Sequence, residues 1–358
     1  MKKTLVCDLF PKENNPRNSE GSFLRATTGE ILFAYSAYSG QSWHDHATCD
    51  IKMIRSFDEG EHWTETPETI APASFFGTKN VMSVSACSLA DGSPAFYFLV
   101  KENDGSSTLA RTVSRDGGKT FIPERPIWNA ISAYYVVNND RVIRLSDGRL
   151  AAPAAMYPAD SSKKGFYPPA VSALLLSDDD GASFYLSRKS FLSYHASINL
   201  RHGLQEPGII ELSPGIFWIW MRTGAGYQYE SYSIDNLNKF TPPEPSMFTS
   251  PDSPMEIARL DENTLFAVYN PIPNYNGREK TQWGAGRTPL VLRKSTDNGK
   301  NFGKIFVIEE DDERGFCYPA MFFTKDNAML CAYCRGGKDD GVCLARLGII
   351  KVPLTEFE

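Results

Sequence analysis

The sequence predicts an all-β chain folded as a single six-bladed β-propeller over residues 1–358, and three observations predict it. The first is a short pattern that recurs as Ser56-Phe-Asp58-Glu-Gly60-Glu-His-Trp63, Ser114-Arg-Asp116-Gly-Gly118-Lys-Thr-Phe121, Ser177-Asp-Asp179-Asp-Gly181-Ala-Ser-Phe184 and Ser295-Thr-Asp297-Asn-Gly299-Lys-Asn-Phe302. Each copy reads Ser-x-Asp-x-Gly-x-x-aromatic. A fifth, Ser233-Ile-Asp235-Asn-Leu237-Asn-Lys-Phe240, has Leu where the glycine stands elsewhere. The serines step by 58, 63, 56 and 62 residues, and a unit repeated at that period signals a repeat architecture of roughly six units. The second observation is a series of short apolar runs, among them Glu30–Tyr35, Ala95–Val100, Val171–Leu176, Ile216–Met221, Thr264–Tyr269 and Pro289–Lys294. They are rich in branched and aromatic residues and bounded by Gly, Pro, Asn or Asp, as strands are. The third is that no segment sustains a helical apolar period.

Each repeat reads as a hairpin tip. The Asp is expected to accept backbone N–H groups two or three residues on, closing an Asx-type turn. The Gly supplies positive φ, and the aromatic anchors the turn on the sheet beneath. Turn signals such as Ala90-Asp-Gly92 and Ser146-Asp-Gly148 lie about a strand ahead of the repeat turns, so each unit reads as a four-stranded meander. The first blade spans about Arg17–Thr66, and the next four carry the turns at Ser114, Ser177, Ser233 and Ser295. The sixth begins near Gly315 and has no repeat turn. A ring must close or leave open strand edges, so the segment Lys3–Asp8 is expected to pair into the last blade.

The net charge of −6 gives no electrostatic footprint for nucleic acid. No apolar run approaches a membrane span. Met1-Lys-Lys-Thr-Leu-Val-Cys-Asp8 loses its apolar character at Asp8 and does not read as a signal peptide. The seven cysteines are odd in number and scattered, which suits a reducing compartment and predicts a cytoplasmic protein. Cys331-Ala-Tyr-Cys334 has CxxC spacing but lies in an apolar strand run with no second pair, so a buried structural role is expected.

A propeller gathers its ligand site on the axis, where loops of every blade converge, so candidates are polar residues next to inner-strand signals. Arg17, Arg222 and Arg287 meet that description. Converging guanidinium groups suit a planar carboxylate, gripped by paired charge-assisted hydrogen bonds. Glu206, in Gln205-Glu206-Pro-Gly-Ile-Ile, and Tyr318, in Phe316-Cys-Tyr318-Pro-Ala-Met, complete the set. A carboxylate beside a phenol can act as its base and make the oxygen nucleophilic. A neutral phenol also approaches an anionic anomeric centre with less repulsion than a carboxylate would. His44, His46, His195 and His202 invite a metal reading, but no Cys or carboxylate set at ligand spacing accompanies them. Neither a metal nor another cofactor is expected. Trp43, Tyr227, Tyr229 and Trp283 offer rings for sugar stacking or for ordinary sheet packing.

The repeat turns resemble the Asp-boxes, or BNR repeats, of sialidases. Glu206-Pro-Gly-Ile-Ile-Glu-Leu212 with Met221-Arg222 is similar to the family segment holding the base partner and the second triad arginine. Arg287, eight residues before Ser295, is similar to the third arginine, and Phe316-Cys-Tyr318-Pro-Ala-Met resembles the tyrosine nucleophile segment of the BNR-repeat branch. Ser253–Leu260 and Val268-Tyr-Asn270 also look like that branch. The resemblance covers nearly the whole chain. It implies an exo-α-sialidase-like retaining glycosidase in which Arg17, Arg222 and Arg287 bind the substrate carboxylate. Tyr318, activated by Glu206, attacks the anomeric carbon, and an Asp of the first blade is acid and base. In Ser42-Trp-His44-Asp45-His46-Ala-Thr-Cys-Asp50 that residue is Asp45, with Asp50 the alternative, because Asp50 opens a strand signal. Arg17-Asn-Ser-Glu20 departs from the family's Arg-Ile-Pro, and Glu20 adds a carboxylate near the expected substrate. A hydrolase or lyase acting on another acidic sugar, and a non-catalytic glycan-binding propeller, therefore stand as alternatives.

Overall fold

The apolar runs become strands, and the strands group into six sheets. The computed structural model describes residues 1–158, 169–187, 189–192, 202–274 and 280–358. The chain enters at β1 (Thr4–Leu9). Blade 1 follows as β2 (Asn18–Arg25), β3 (Ile31–Tyr38), β4 (Cys49–Ser56) and β5 (Glu68–Ala71). Blade 2 is β6 (Val81–Ala86), β7 (Ala95–Asn103), β8 (Ser106–Val113) and β9 (Ile122–Glu124). Blade 3 holds β10 (Ile127–Asn129), β11 (Ala133–Val136), β12 (Ile143–Arg144), β13 (Leu150–Pro158), β14 (Val171–Ser177) and β15 (Ser183–Leu186). Blade 4 is β16 (Gln205–Ser213), β17 (Ile216–Arg222), β18 (Tyr227–Ser233) and β19 (Glu244–Thr249). Blade 5 is β20 (Glu256–Arg259), β21 (Leu265–Tyr269), β22 (Leu290–Ser295) and β23 (Ile305–Glu309). Blade 6 is β24 (Cys317–Phe323), β25 (Ala328–Cys334) and β26 (Leu347–Pro353), with β1 antiparallel to β26 as its outer strand. Among the described residues no helix is long and apolar enough to cross a membrane.

Blade 3 departs from the plain meander. Its inner strand is broken into β11 and β12, and β10 adds to the outer edge in parallel with β15.

The repeat turns each join the third strand of a blade to the fourth. Their bonding differs from the expected Asx pattern. In the first, Asp58 accepts from the His62 N–H, four residues on, and from the Ser56 hydroxyl, while the Gly60 N–H donates to Ser56 Oγ. The other copies repeat this, including the one without glycine: Lys239 N donates to Asp235, and Leu237 N to Ser233 Oγ. The Ser of the pattern is thus a bonding centre in its own right. The glycine has a second purpose beyond its φ of 88°. A Cβ on Gly60 would lie 2.7 Å from the Leu330 side chain of blade 6. Gly118 meets Ala26 of blade 1 and Gly181 meets Tyr97 of blade 2, whereas a Cβ on Gly299 would lie 3.1 Å from Leu265 of its own blade and 3.4 Å from Trp218 of blade 4. The turns at Gly60, Gly118 and Gly181 are pressed onto the preceding blade, and only hydrogen fits there. At the fifth turn the gap is wider. Leu237 fills it, 3 % exposed, packed with apolar residues of blades 3 and 4.

Apolar clusters fill all six junctions between neighbouring blades, including the one between blades 6 and 1, where Phe23, Phe33, Leu330 and Leu347 meet. The CxxC cysteines Cys331 and Cys334 lie in β25, fully buried and free. The axis itself is plugged by Asn138–Arg141, between β11 and β12. Asn139 Nδ2 donates to the carbonyls of Gly21, Tyr318 and Pro319 in blades 1 and 6. Asp140 accepts from Ser22 Oγ and Met321 N. Arg141 bonds Met255 O, pairs with Glu256, and stacks over Trp220, reaching blades 4 and 5.

Candidate functional site

Above that plug, four inner strands carry a register shift at the same depth, a β-bulge that re-aims one side chain. The shifts lie between Ser19 and Ser22 in β2, Met82 and Ser85 in β6, Gln205 and Gly208 in β16, and Cys317 and Ala320 in β24. In each bulge one non-glycine residue takes positive φ: Glu20 (55°), Ser83 (60°), Glu206 (42°) and Tyr318 (54°). Pro207 and Pro319 stand in two of the bulges, where a missing N–H breaks no ladder bond. Such strain, ~1 kcal/mol or more per residue, persists where packing over-determines it. All four residues line one cleft of about 310 Å³ on the axis, to which every blade contributes. A larger cleft of about 500 Å³ on the rim of blade 5, along Asp297–Phe306, has no nucleophile and base facing each other.

Within the axial cleft, Tyr318 Oη donates to Glu206 Oε1 at 3.0 Å. Arg222 lies beside both, its Nη1 2.8 Å from Glu206 Oε2 and 3.4 Å from Tyr318 Oη. Burial, and then Glu206, push the Tyr318 hydroxyl well above the ordinary phenol range, while Arg222 and Arg287 pull the other way. The free phenol is therefore protonated at neutral pH, and Glu206 is placed to take its proton.

Of the residues read from the sequence, Glu20, Asp45, Glu206, Arg222, Arg287 and Tyr318 line this cleft. Arg17 stands behind them, 1 % exposed. Its Nε donates to Ser19 Oγ (2.8 Å), Nη2 to Glu20 Oε2 (2.8 Å) and Nη1 to Asp45 Oδ1 (2.6 Å), and its guanidinium stacks on Tyr38. Asp50 is not brought to the cleft. Its carboxylate accepts the Ala73 N–H at 2.8 Å, capping the segment after β5. The two halves of the aspartate alternative thus fall in different places.

The arginines differ in their freedom. Arg222 is held by Glu206 and by Asp252 Oδ1, 2.7 Å from its Nε. Arg287 has no ion pair among the described residues. Its Nη1 contacts Cys317 Sγ, Nη2 reaches Asp252 O, and its buried Nε has no partner among the described residues. Burial works to raise the Asp252 carboxyl, but Arg222, His202 and Arg287 hold it well below the usual carboxylate range.

Sequence reading missed Lys101, Tyr134, Tyr157 and Asp252, all of which line the cleft. Lys101 closes the apolar run of β7, and a Lys ending a buried strand was the available signal. Asp252 directly precedes the noted Ser253–Leu260 segment. Of the four stacking candidates, none lines the cleft; Tyr229 is buried between blades 3 and 4, and Trp43 stacks on His44 in the Asp45 loop. His202 lines the cleft 3.6 Å from Asp252, His46 lies 3.8 Å from Asp104, and His195 falls outside the described residues. No group of three metal-ligating side chains gathers among the described residues.

The fold matches solved structures over almost its whole length. A Dyadobacter fermentans protein of unknown function aligns at a TM-score of 0.73 and 18% identity, covering 98% of this chain and 99% of that one. The Hadza microbial sialidase Hz136 aligns at 0.70 and 14% identity, over 96% of this chain and 67% of that one. Trypanosoma rangeli sialidase in complex with sialic acid aligns at 0.68 and 16% identity, over 99% of this chain and 59% of that one. These likenesses establish a sialidase-like six-bladed propeller. A search of curated proteins finds no match. The BNR repeat-like domain model matches residues 94–331, two thirds of the chain, and the protein therefore belongs to the BNR repeat-like family.

Proposed function

We propose that the protein is a retaining glycoside hydrolase that removes a terminal, α-linked sialic acid. The observation that carries this reading is the 3.0 Å bond from Tyr318 Oη to Glu206 Oε1, made between two strained residues in a cleft walled by Arg222 and Arg287. Glu206 takes the phenolic proton as Tyr318 attacks the anomeric carbon, giving a covalent glycosyl-enzyme. Asp45 protonates the departing oxygen and then draws a proton from water, so configuration is retained. Arg17, Arg222 and Arg287 hold the sugar carboxylate. The sialidases aligned above support sialic acid as the sugar.

The carboxylates Glu20 and Asp252, paired to Arg17 and Arg222, favour a second reading in which the sugar is another acid, such as a uronic acid. A site for binding alone gains nothing from a buried base on a buried phenol. Hydrolysis of a panel of aryl α-sialosides and aryl uronides tests these readings together. Release from the sialoside alone is expected; release from a uronide alone moves the reading to the second sugar, and release from none leaves a binding protein. Trapping with a 3-fluoro sialosyl fluoride should label Tyr318, and a label on any other residue overturns the nucleophile.

A further inference from the structure

Asp45 has two incompatible duties in the free protein. As the acid of the proposed reaction it must carry a proton, yet its carboxylate lies 2.6 Å from Arg17 Nη1. A carboxylate in a charge-assisted bond to a guanidinium is a poor proton donor. Its surroundings agree. Partial burial works to raise the Asp45 carboxyl, but Arg17 and Lys101 outweigh it and hold the group below the usual carboxylate range.

The partners of this contact differ in mobility. Arg17 is 1 % exposed and held by Ser19, Glu20 and Tyr38, and its Nη1 donates to Trp43 O, on the Asp45 loop, as well as to Asp45. The Asp45 side chain is 50 % exposed and lies on an exposed loop between β3 and β4. Its backbone, however, is pinned: Asn80 Nδ2 and Lys101 Nζ both donate to the Asp45 carbonyl. A turn of the carboxylate away from Arg17 therefore leaves the Asp45 backbone in place, and it frees Arg17 Nη1 from one of the two acceptors it has on this loop, the other being Trp43 O.

Resting on the function proposed above, we infer that Asp45 occupies Arg17 as a stand-in for the substrate's anion, and that the sugar carboxylate takes this place on binding. Released from Arg17, Asp45 takes one proton from solvent and passes it to the departing glycosidic oxygen as the carbon–oxygen bond breaks. The acid is thereby armed by the group that identifies the substrate. The charged and titratable groups facing Asp45 are Arg17, just before β2, Glu20 from β2, Tyr38 from β3, Lys101 from β7, Tyr134 from β11, and His44 and His46 from its own loop. Of these, only Arg17 bonds its carboxylate among the described residues.

Calorimetric titration with N-acetylneuraminic acid near pH 6, in two buffers of different ionisation enthalpy, reads the exchange directly. The wild type should bind with net proton uptake. Asp45→Asn should bind with none, and about fivefold tighter, because the competing carboxylate is gone. Binding by the wild type without proton uptake, or weaker binding by Asp45→Asn, overturns the inference while sialoside hydrolysis by the wild type leaves the proposed function standing. If neither protein binds a sugar acid and no sialoside is cleaved, both fall together.

Discussion

The rim and the hub of this propeller both depend on residues at positive φ, and they populate it with different side chains. At the rim, four of the repeat turns use glycine, at φ of 82–108°. At the hub, the four bulges use Glu20, Ser83, Glu206 and Tyr318, at φ of 42–60°. Glycine adopts that conformation at no steric cost, whereas a residue with a Cβ is strained there. The rim therefore needs the backbone shape and the hydrogen, and the hub needs the side chain. Tyr318 and Glu206 keep an unfavourable conformation because it aims a phenol and a carboxylate at each other across the axis.

Removing hub chemistry should accordingly cost activity far more than stability. Tyr318→Phe is expected to lower kcat on an aryl α-sialoside about 10³-fold or more. Its thermal midpoint should shift less than that of any rim variant below, since Glu206 keeps its bond to Arg222. Equal kcat in Tyr318→Phe and wild type would show that the strain at residue 318 serves something other than nucleophilic attack.

Rim substitutions should behave in the opposite way. Gly60→Ala places a Cβ 2.7 Å from Leu330 at a φ of 88°, and is expected to destabilise the fold by about 1–3 kcal/mol with kcat unchanged. The fifth turn inverts the rule. Leu237 already occupies the glycine position, buried between blades 3 and 4, so Leu237→Gly should be destabilising there by about 2–4 kcal/mol through the cavity it leaves. Denaturant midpoints of the two variants separate a conformational need for glycine from a packing need. Should Leu237→Gly stabilise, φ dominates at every turn.

This contrast also explains what could be read from the chain. The rim turns were legible because their bonding is local: Ser, Asp and Gly act within one octet, so the pattern repeats in sequence. Their detail was not, since Asp58 reaching the His62 N–H depends on the turn's closed shape. The hub was legible only through chemistry and resemblance. Glu206-Pro and Tyr318-Pro carried a trace, a proline inside a strand signal, which marks a bulge or an edge. Glu20 and Ser83 carry no such mark. Arg17 and its two carboxylates could not be ordered in advance, because which anion occupies a guanidinium is decided by side-chain placement. Lys101 and Asp252 lie far from the catalytic candidates in sequence and meet them only when the ring closes. The plug Asn138–Arg141 left no periodic signal at all, since only one blade supplies it.

The plug offers the finest test of how hub strain is tolerated. Asp140 takes a φ of 58°, a conformation Asp accepts more readily than most residues. Burial pushes its carboxyl up to about 6, against opposing contributions from Ser22 and Arg141. A carboxyl raised in the folded state binds its proton more tightly there than in the unfolded chain. The folded protein is thus favoured by protonation, and this group's contribution falls as pH rises from about 4 to about 6, then stays level. Asp140→Asn removes the titration while an amide can still meet Ser22 Oγ and Met321 N. The difference in unfolding free energy, variant minus wild type, is therefore expected to rise in favour of Asp140→Asn between pH 4 and pH 7 and to flatten above. A difference that does not change with pH would mean that Asp140 ionises in the hub as readily as in water, with Arg141 offsetting its burial completely.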